Sequence, residues 1–352
     1  MLRALLSDDL PRSRWLALAL LVIVLGLAFA PFLFPGAKSL NVAAKICVFI
    51  VLAASFDLLL GYTGIVSFAH TMFFGIGAYG VAIALTRMGP GWDSVAVGAA
   101  AGLALAIVLA AAIGLLSLRL RTIFFAMITL AVASAFAILA SQLSDLTGGE
   151  DGLNFRLPTV LRSSFSLVDG TVLGVRLNGR ILDYYLVFAG SALLVLAMLR
   201  VANSPFGSVL MAIRENPFRA EAIGYRTVVY RTLASCIGAA VAALAGVLLA
   251  LWSSQTNPDT TLSFDIMVDI LLMVVIGGMG TTYGAMIGAV LVIFAQNYLQ
   301  DVLGLLHKAL TGIPVLTDLV HPDRWLLWLG LAFILCVYFF PSGIVGRLRA
   351  PR

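Results

Sequence analysis

The sequence predicts an all-α polytopic membrane protein. It is read as a single domain over residues 1–352, with about ten transmembrane helices, one polar segment between spans and a small external β-meander. Three observations carry this. The chain is 61% hydrophobic and only 11% charged, with a mean hydropathy of +1.06; a soluble domain is about 45–50% apolar and about 25% charged. Apolar runs near the ~20 residues that a bilayer crossing needs recur along the whole chain. Arginine collects in alternate connections, so the net charge of +5 reflects membrane topology and not nucleic-acid binding.

Ten candidate spans follow in order: Trp15–Phe34, Asn41–Leu60, Val66–Thr86, Ser94–Leu116, Ile123–Leu143, Tyr184–Val201, Thr232–Ser253, Asp265–Gly280, Tyr283–Leu303 and Trp325–Phe340. The first, 15–34, follows basic residues but lacks a small-residue cleavage site, so it is expected to be a retained span and not a signal peptide. The third is broken by glycines and the eighth is short. With the N-terminus inside, the inner connections hold thirteen basic residues against four acids, and the outer side holds eight basic residues with most of the acids. Both termini and the loop 202–231 are therefore expected in the cytoplasm. The main outer segment is 146–183. There Asp169-Gly170 and Asn178-Gly179 are hairpin-type turns, and Thr171–Leu177 between them can extend. It is either a cap over helix ends or a contact for an external partner.

The loop 202–231 carries Arg214, Arg219, Arg226 and Arg231 with Glu215 and Glu221. Ser204 can cap a helix with Pro205 at its first position, and Phe206, Val209, Leu210 and Ile213 give that helix one apolar face. Asn216-Pro217 repeats the signal for a very short helix, Pro217 to Ile223, with Gly224 as a left-handed stop. So short a helix must dock on something, either its own membrane domain or a soluble partner.

Ionisable groups within spans are functional candidates because burying them is costly. Here they are Lys45, Asp57, His70 and Asp269, with Asp265 at an edge. Asp57 precedes Gly61-Tyr62-Thr63-Gly64, and a second glycine break is Gly277-Gly278-Met279-Gly280, continuing to Gly284 and Gly288. The Gly-x-x-Gly at both places hints at an internal repeat. Such glycines either let helices pack closely or mark discontinuous helices around a path. Gly75-x-Gly77-x-x-Gly80 matches a dinucleotide fingerprint by letter, but no strand precedes it and no acid follows at the required distance. No Walker A sequence, metal-ligand cluster or nucleophile–base set is present, so no catalytic residue, metal or cofactor is expected, and a membrane enzyme is disfavoured. Cys47, Cys236 and Cys336 lie far apart in apolar stretches and read as buried hydrophobes. His307 and His321 are expected to lie singly in an outer loop.

Four stretches together resemble one family: Asp57–Gly80, Leu146–Leu153, Ala212–Tyr225 and Val275–Ala289. In this order they are similar to the LivM-type permease subunit of ABC importers for branched-chain amino acids, over roughly Asn41 to Phe340. The resemblance implies that 202–231 is a cytoplasmic coupling loop, with Glu221-Ala222-x-Gly224 as its core. Arg214, Glu215, Asn216, Arg219, Ala220, Glu221, Ala222 and Gly224 are then the ATPase-coupling residues, and Asp57, Gly61, Gly64, His70, Gly277, Gly278 and Gly280 lie near the translocation path. It also implies a second, LivH-like permease, two separate ATPase subunits, an external solute-binding protein, a small-molecule substrate and a bacterial inner membrane. Urea, amide or aromatic-acid importers are the neighbouring readings. An ion-coupled secondary carrier is the rival from another class, and it would need Asp57, His70 or Asp269 as coupling groups.

Overall fold

The computed structural model describes residues 13–33, 36–117, 122–172, 175–309, 321–340 and 343–348. Apolar runs become helices because a chain in lipid must satisfy its backbone internally. In order these are α1 (Arg14–Ala28), α2 (Ala37–Asp57), α3 (His70–Met88), α4 (Trp92–Ser117) and α5 (Thr122–Gln142). The strands β1 (Leu153–Asn154), β2 (Ser166–Val172) and β3 (Val175–Asn178) follow. Next come α6 (Gly179–Ala202), α7 (Pro205–Glu215), α8 (Pro217–Ala222), α9 (Thr227–Ser253), β4 (Gln255–Thr256), α10 (Phe264–Gly277), α11 (Thr282–Ala309), α12 (Trp325–Phe339) and α13 (Gly343–Leu348). Nine helices among the described residues are long and apolar enough to span a membrane, and α1 is a shorter apolar helix. This is a multi-pass helical membrane protein.

The first span breaks at Phe29 before a short helix, Ala30–Leu33. Helix α6 explains how the break is tolerated: the Tyr184 hydroxyl donates to Leu27 O at 2.5 Å, and the Tyr185 hydroxyl donates to Ala28 O at 3.0 Å. These donors satisfy carbonyls that the interrupted helix leaves open.

The centre is α2, buried almost continuously from Ile46 to Asp57, with α11, α9 and α6 packed against it. The letters of Gly75-x-Gly77-x-x-Gly80 are packing letters. A side chain on Gly77 would strike the Ala243 carbonyl of α9, and one on Gly80 would strike the Gly98 carbonyl of α4. Small residues let these backbones touch, as membrane helix packing requires. Helix α12, by contrast, has no buried residue, and α1, α4 and α5 turn Leu, Ile, Val and Met outward. That is the composition of a surface facing lipid or another membrane chain.

Two faces result. On one, the end of α2, the helices α7 and α8, and the break between α10 and α11 come together. On the other, β1 pairs antiparallel with β4, Leu153 opposite Thr256, and β2 pairs with β3. The segment 146–183 thus holds a two-stranded hairpin and a short strand bridged to β4. The expected turns are displaced. Asp169-Gly170 lies inside β2, which pairs with β3 up to Val172 opposite Val175. Asn178 caps α6 instead, its side chain accepting from Ile181 N at 3.4 Å. The letters Asn-Gly serve a helix start as readily as a turn. His307 belongs to α11 and not to a loop, and its ring meets that of His321 edge-on at 5.1 Å.

Candidate functional site

The polar segment folds as its caps dictate. The Ser204 side chain accepts from Gly207 N at 3.4 Å with Pro205 at the first helical position, and α7 buries Leu210 and Ile213. The Asn216 side chain accepts from Arg219 N at 3.0 Å and starts α8. Helix α8 closes with two backbone bonds, Tyr225 N to Ala220 O at 3.1 Å and Gly224 N to Glu221 O at 2.9 Å. This pairing needs a left-handed residue between them, and Gly224 supplies it at φ 99°.

Helix α8 is fixed to the spans on both sides. Glu221 Oε1 accepts from the Thr227 hydroxyl at 2.6 Å, tying α8 to the first turn of α9. Phe206 stacks on Tyr230 at 5.8 Å, and Tyr225 meets Tyr230 edge-on at 5.6 Å. Of the small residues, Ala220 is buried and Ala222 is exposed. What projects outward was not apparent from the motif. Phe218 is 81% exposed and Ile223 68%, among the exposed polar residues Glu215, Asn216, Arg219 and Glu221. Phe218 and Ile223 are the two large apolar side chains that α8 and its stop leave mostly exposed.

Inward, Arg214 leaves α7 and Nη1 donates to Gly61 O. Gly61 lies in the π-helical turn Leu58–Thr63 that ends the second span. Gly64 terminates that turn at φ 71°, and a side chain on it would press on the Arg214 stem. On the far side of Gly61 lies Gly280. Its N–H donates to Asp57 Oδ1 at 2.8 Å. Gly280 has φ 80°, and a Cβ on Gly61 would overlap its backbone. Gly277 and Gly278 continue the contact, with Gly343 of α13 pressed against Gly278. The Thr281 hydroxyl donates to Gly278 O at 2.9 Å and closes the break between α10 and α11.

The structure therefore joins two sets that the motifs kept apart. Arg214 from the coupling set meets Asp57, Gly61, Gly64 and Gly280 from the path set in one knot, whose inner members Asp57 and Gly61 are buried. Asp57 is 1% exposed and accepts from a backbone N–H. His70 stands apart from this knot. It opens α3, its Nε2 is 2.8 Å from Ser55 Oγ, and Phe56 and Phe73 enclose its ring. Asp269 of α10 accepts from Gln296 Nε2 of α11 at 2.7 Å.

A family model described as "Branched-chain amino acid transport system / permease component" matches residues 39–321. The chain belongs to this family. The permease protein LivM of Salmonella typhimurium is 27% identical over 332 residues, covering 89% of this chain and 74% of its own length. BraD of Pseudomonas aeruginosa is 26% identical over 303 residues, covering 84% and 91% respectively. LivH of Escherichia coli is 25% identical over 304 residues, again covering 84% and 91%. All three are named as high-affinity branched-chain amino acid transport system permease proteins. No solved structure matches. The matched region takes in the Asp57–Gly64 turn, α7, α8 and the Gly277–Gly280 break. The knot is thus part of the permease proper, and the chain is a transport subunit and not an enzyme.

Proposed function

We propose that this permease is one of two related membrane subunits of an ATP-driven importer for branched-chain amino acids. Two ATPase subunits act on the face that carries α8, and a solute-binding protein delivers substrate to the face that carries the β2–β3 hairpin. Both termini and α8 are cytoplasmic, and the membrane is the bacterial inner membrane.

The observation that carries this reading is the hydrogen bond from Arg214 to Gly61. Helix α8 offers Phe218 and Ile223 to a groove on an ATPase subunit, with Arg219 beside them for an acidic rim. When ATP draws the ATPase pair together, the docked helix moves. Its caps and the Glu221–Thr227 bond make α8 move with α7 and α9. Arg214 passes the motion to the end of α2, and the Gly61–Gly280 contact with the Asp57 bond passes it to the break between α10 and α11. Asp57, Gly61, Gly64, Gly277, Gly278 and Gly280 then act as the hinge that opens and closes the path. A branched-chain side chain is apolar and needs no charged group to hold it at the hinge.

The test is to purify the tagged chain from its native membrane and identify its companions. A second permease and two ATPase subunits are expected, with leucine uptake in proteoliposomes that requires ATP and the binding protein. A chain that purifies alone and takes up leucine on an ion gradient would overturn the reading.

A further inference from the structure

The face opposite α8 carries a polar groove that the hinge does not use. Its centre is the first turn of α6, about 35 Å from the coupling end, because α6 runs 24 residues at about 1.5 Å per residue. Arg180 and Asp183 lie three residues apart there, on one side of the helix. At this spacing an arginine and an aspartate ordinarily pair, yet no ion pair joins them among the described residues. Arg180 turns away. Its Nη2 donates to Asn41 Oδ1 at 2.8 Å, and its guanidinium lies over the Trp252 ring at 4.6 Å.

Asp183 is left 2% exposed, lining the groove, with Oδ1 buried and without a hydrogen-bond donor. Buried carboxylate oxygens are costly without a donor. Across Arg180 and Trp252 the groove continues to Lys45, in the third turn of α2. Lys45 is exposed on a membrane-spanning helix and joins neither of the ion pairs found among the described residues. A lysine facing lipid at that depth is disfavoured, and Lys45 lines a cavity with Asn41, Arg180 and Asn297. Two cations and one carboxylate oxygen without a donor thus line two adjoining cavities that share Arg180 and Trp252.

We propose that this groove receives the zwitterionic head of an α-amino acid on its way into the path. The carboxylate lies against Arg180 and Lys45, and the ammonium supplies the donor that Asp183 lacks. The inference rests on the importer reading and adds to it the place and the polarity of substrate entry. It also gives the permease a selectivity of its own, for molecules bearing both charges.

The full chain in phosphatidylcholine nanodiscs tests this by saturation-transfer NMR with three probes. These are L-leucine, 4-methylpentanoate, which lacks the ammonium, and 3-methylbutylamine, which lacks the carboxylate. Wild type should favour leucine. Asp183→Asn should weaken leucine about tenfold, the worth of one charge-assisted bond, and leave 4-methylpentanoate unchanged. Asp183→Glu should keep the preference for leucine, which separates a lost contact from a lost fold. Arg180→Gln should remove 4-methylpentanoate and spare 3-methylbutylamine. Equal signals from all three probes in wild type, or an unchanged leucine signal in both charge-removing variants, would overturn the proposal. Displacement of leucine by phosphatidylglycerol would instead assign the groove to a lipid headgroup and overturn it too. ATP-driven leucine uptake by the assembled complex is measured alongside. If uptake stands while the nanodisc results fail, only the groove is lost; if the wild-type complex takes up no leucine, the importer reading falls.

Discussion

Asp57 shows what a buried charge in a span is for in this protein. It binds the backbone of another helix, accepting from Gly280 N–H, and its neighbour Gly61 lets the two chains touch. Asparagine keeps an acceptor oxygen in the same place and leucine does not. Asp57→Leu should therefore destabilise the purified chain by about 1–3 kcal/mol, the cost of an orphaned buried donor, while Asp57→Asn costs less. Thermal unfolding in detergent ranks the two, and equal loss in both would mean that the charge itself matters. Gly61→Ala should be worse than either, because a methyl group there overlaps backbone that cannot rotate away. At this scale the sequence singled out residues that the structure brings into contact. Asp57, Gly61, Gly64 and Gly280 stand out as a charge and glycines inside apolar runs. That they form one knot with Arg214 was not legible. The contacts join residues 153 and 223 positions apart, and nothing in local spacing encodes such a distance.

Helix α8 is six residues long and owes its shape to its caps. Those were plain in the letters Asn216-Pro217 and Gly224. Its outward face was not, because helix direction in space decides whether Phe218 or Ala220 points away from the membrane domain. Ala220 is the buried one. This yields a prediction that separates docking from folding. Phe218→Asp removes an exposed side chain, so stability should change by no more than about 0.5 kcal/mol. Substrate-stimulated ATP hydrolysis in the assembled complex should nevertheless fall, as Phe218→Asp places a charge in the ATPase groove. Normal stimulation in this variant would remove α8 from the coupling role. The hairpin-type turns of the outer segment failed for a related reason. Asn178-Gly179 suits a turn and a helix start equally, and the length of the apolar run that follows settles it as a helix.

Across the whole molecule, the bundle is built from close backbone crossings around α2, α3 and α9. The spans themselves were readable from hydropathy, because lipid demands long apolar runs. Their neighbours were not, since lipid-facing and helix-facing apolar residues look alike. Glycines were the one usable sign. Gly77→Leu should block the α3–α9 crossing and abolish monodisperse purification, whereas Gly330→Leu on α12, where a side chain meets open space, should be tolerated. Comparable yields of the two variants would contradict this packing scheme. The same bundle links the two faces. Helices α2, α6 and α9 each run from the hinge or coupling end to the groove around Arg180, so motion at one face has three rigid routes to the other.

The most direct measurement is the number of leucine molecules imported per ATP hydrolysed by the reconstituted complex, with wild type compared against Arg214→Ala. If Arg214 carries the motion of α8 into the second span, the variant should assemble and hydrolyse ATP while the ratio falls about tenfold, the worth of one hydrogen bond from a charged donor. An unchanged ratio in an intact complex would contradict the account, because the coupling would then bypass the Arg214–Gly61 hydrogen bond that joins α7 to the Leu58–Thr63 turn.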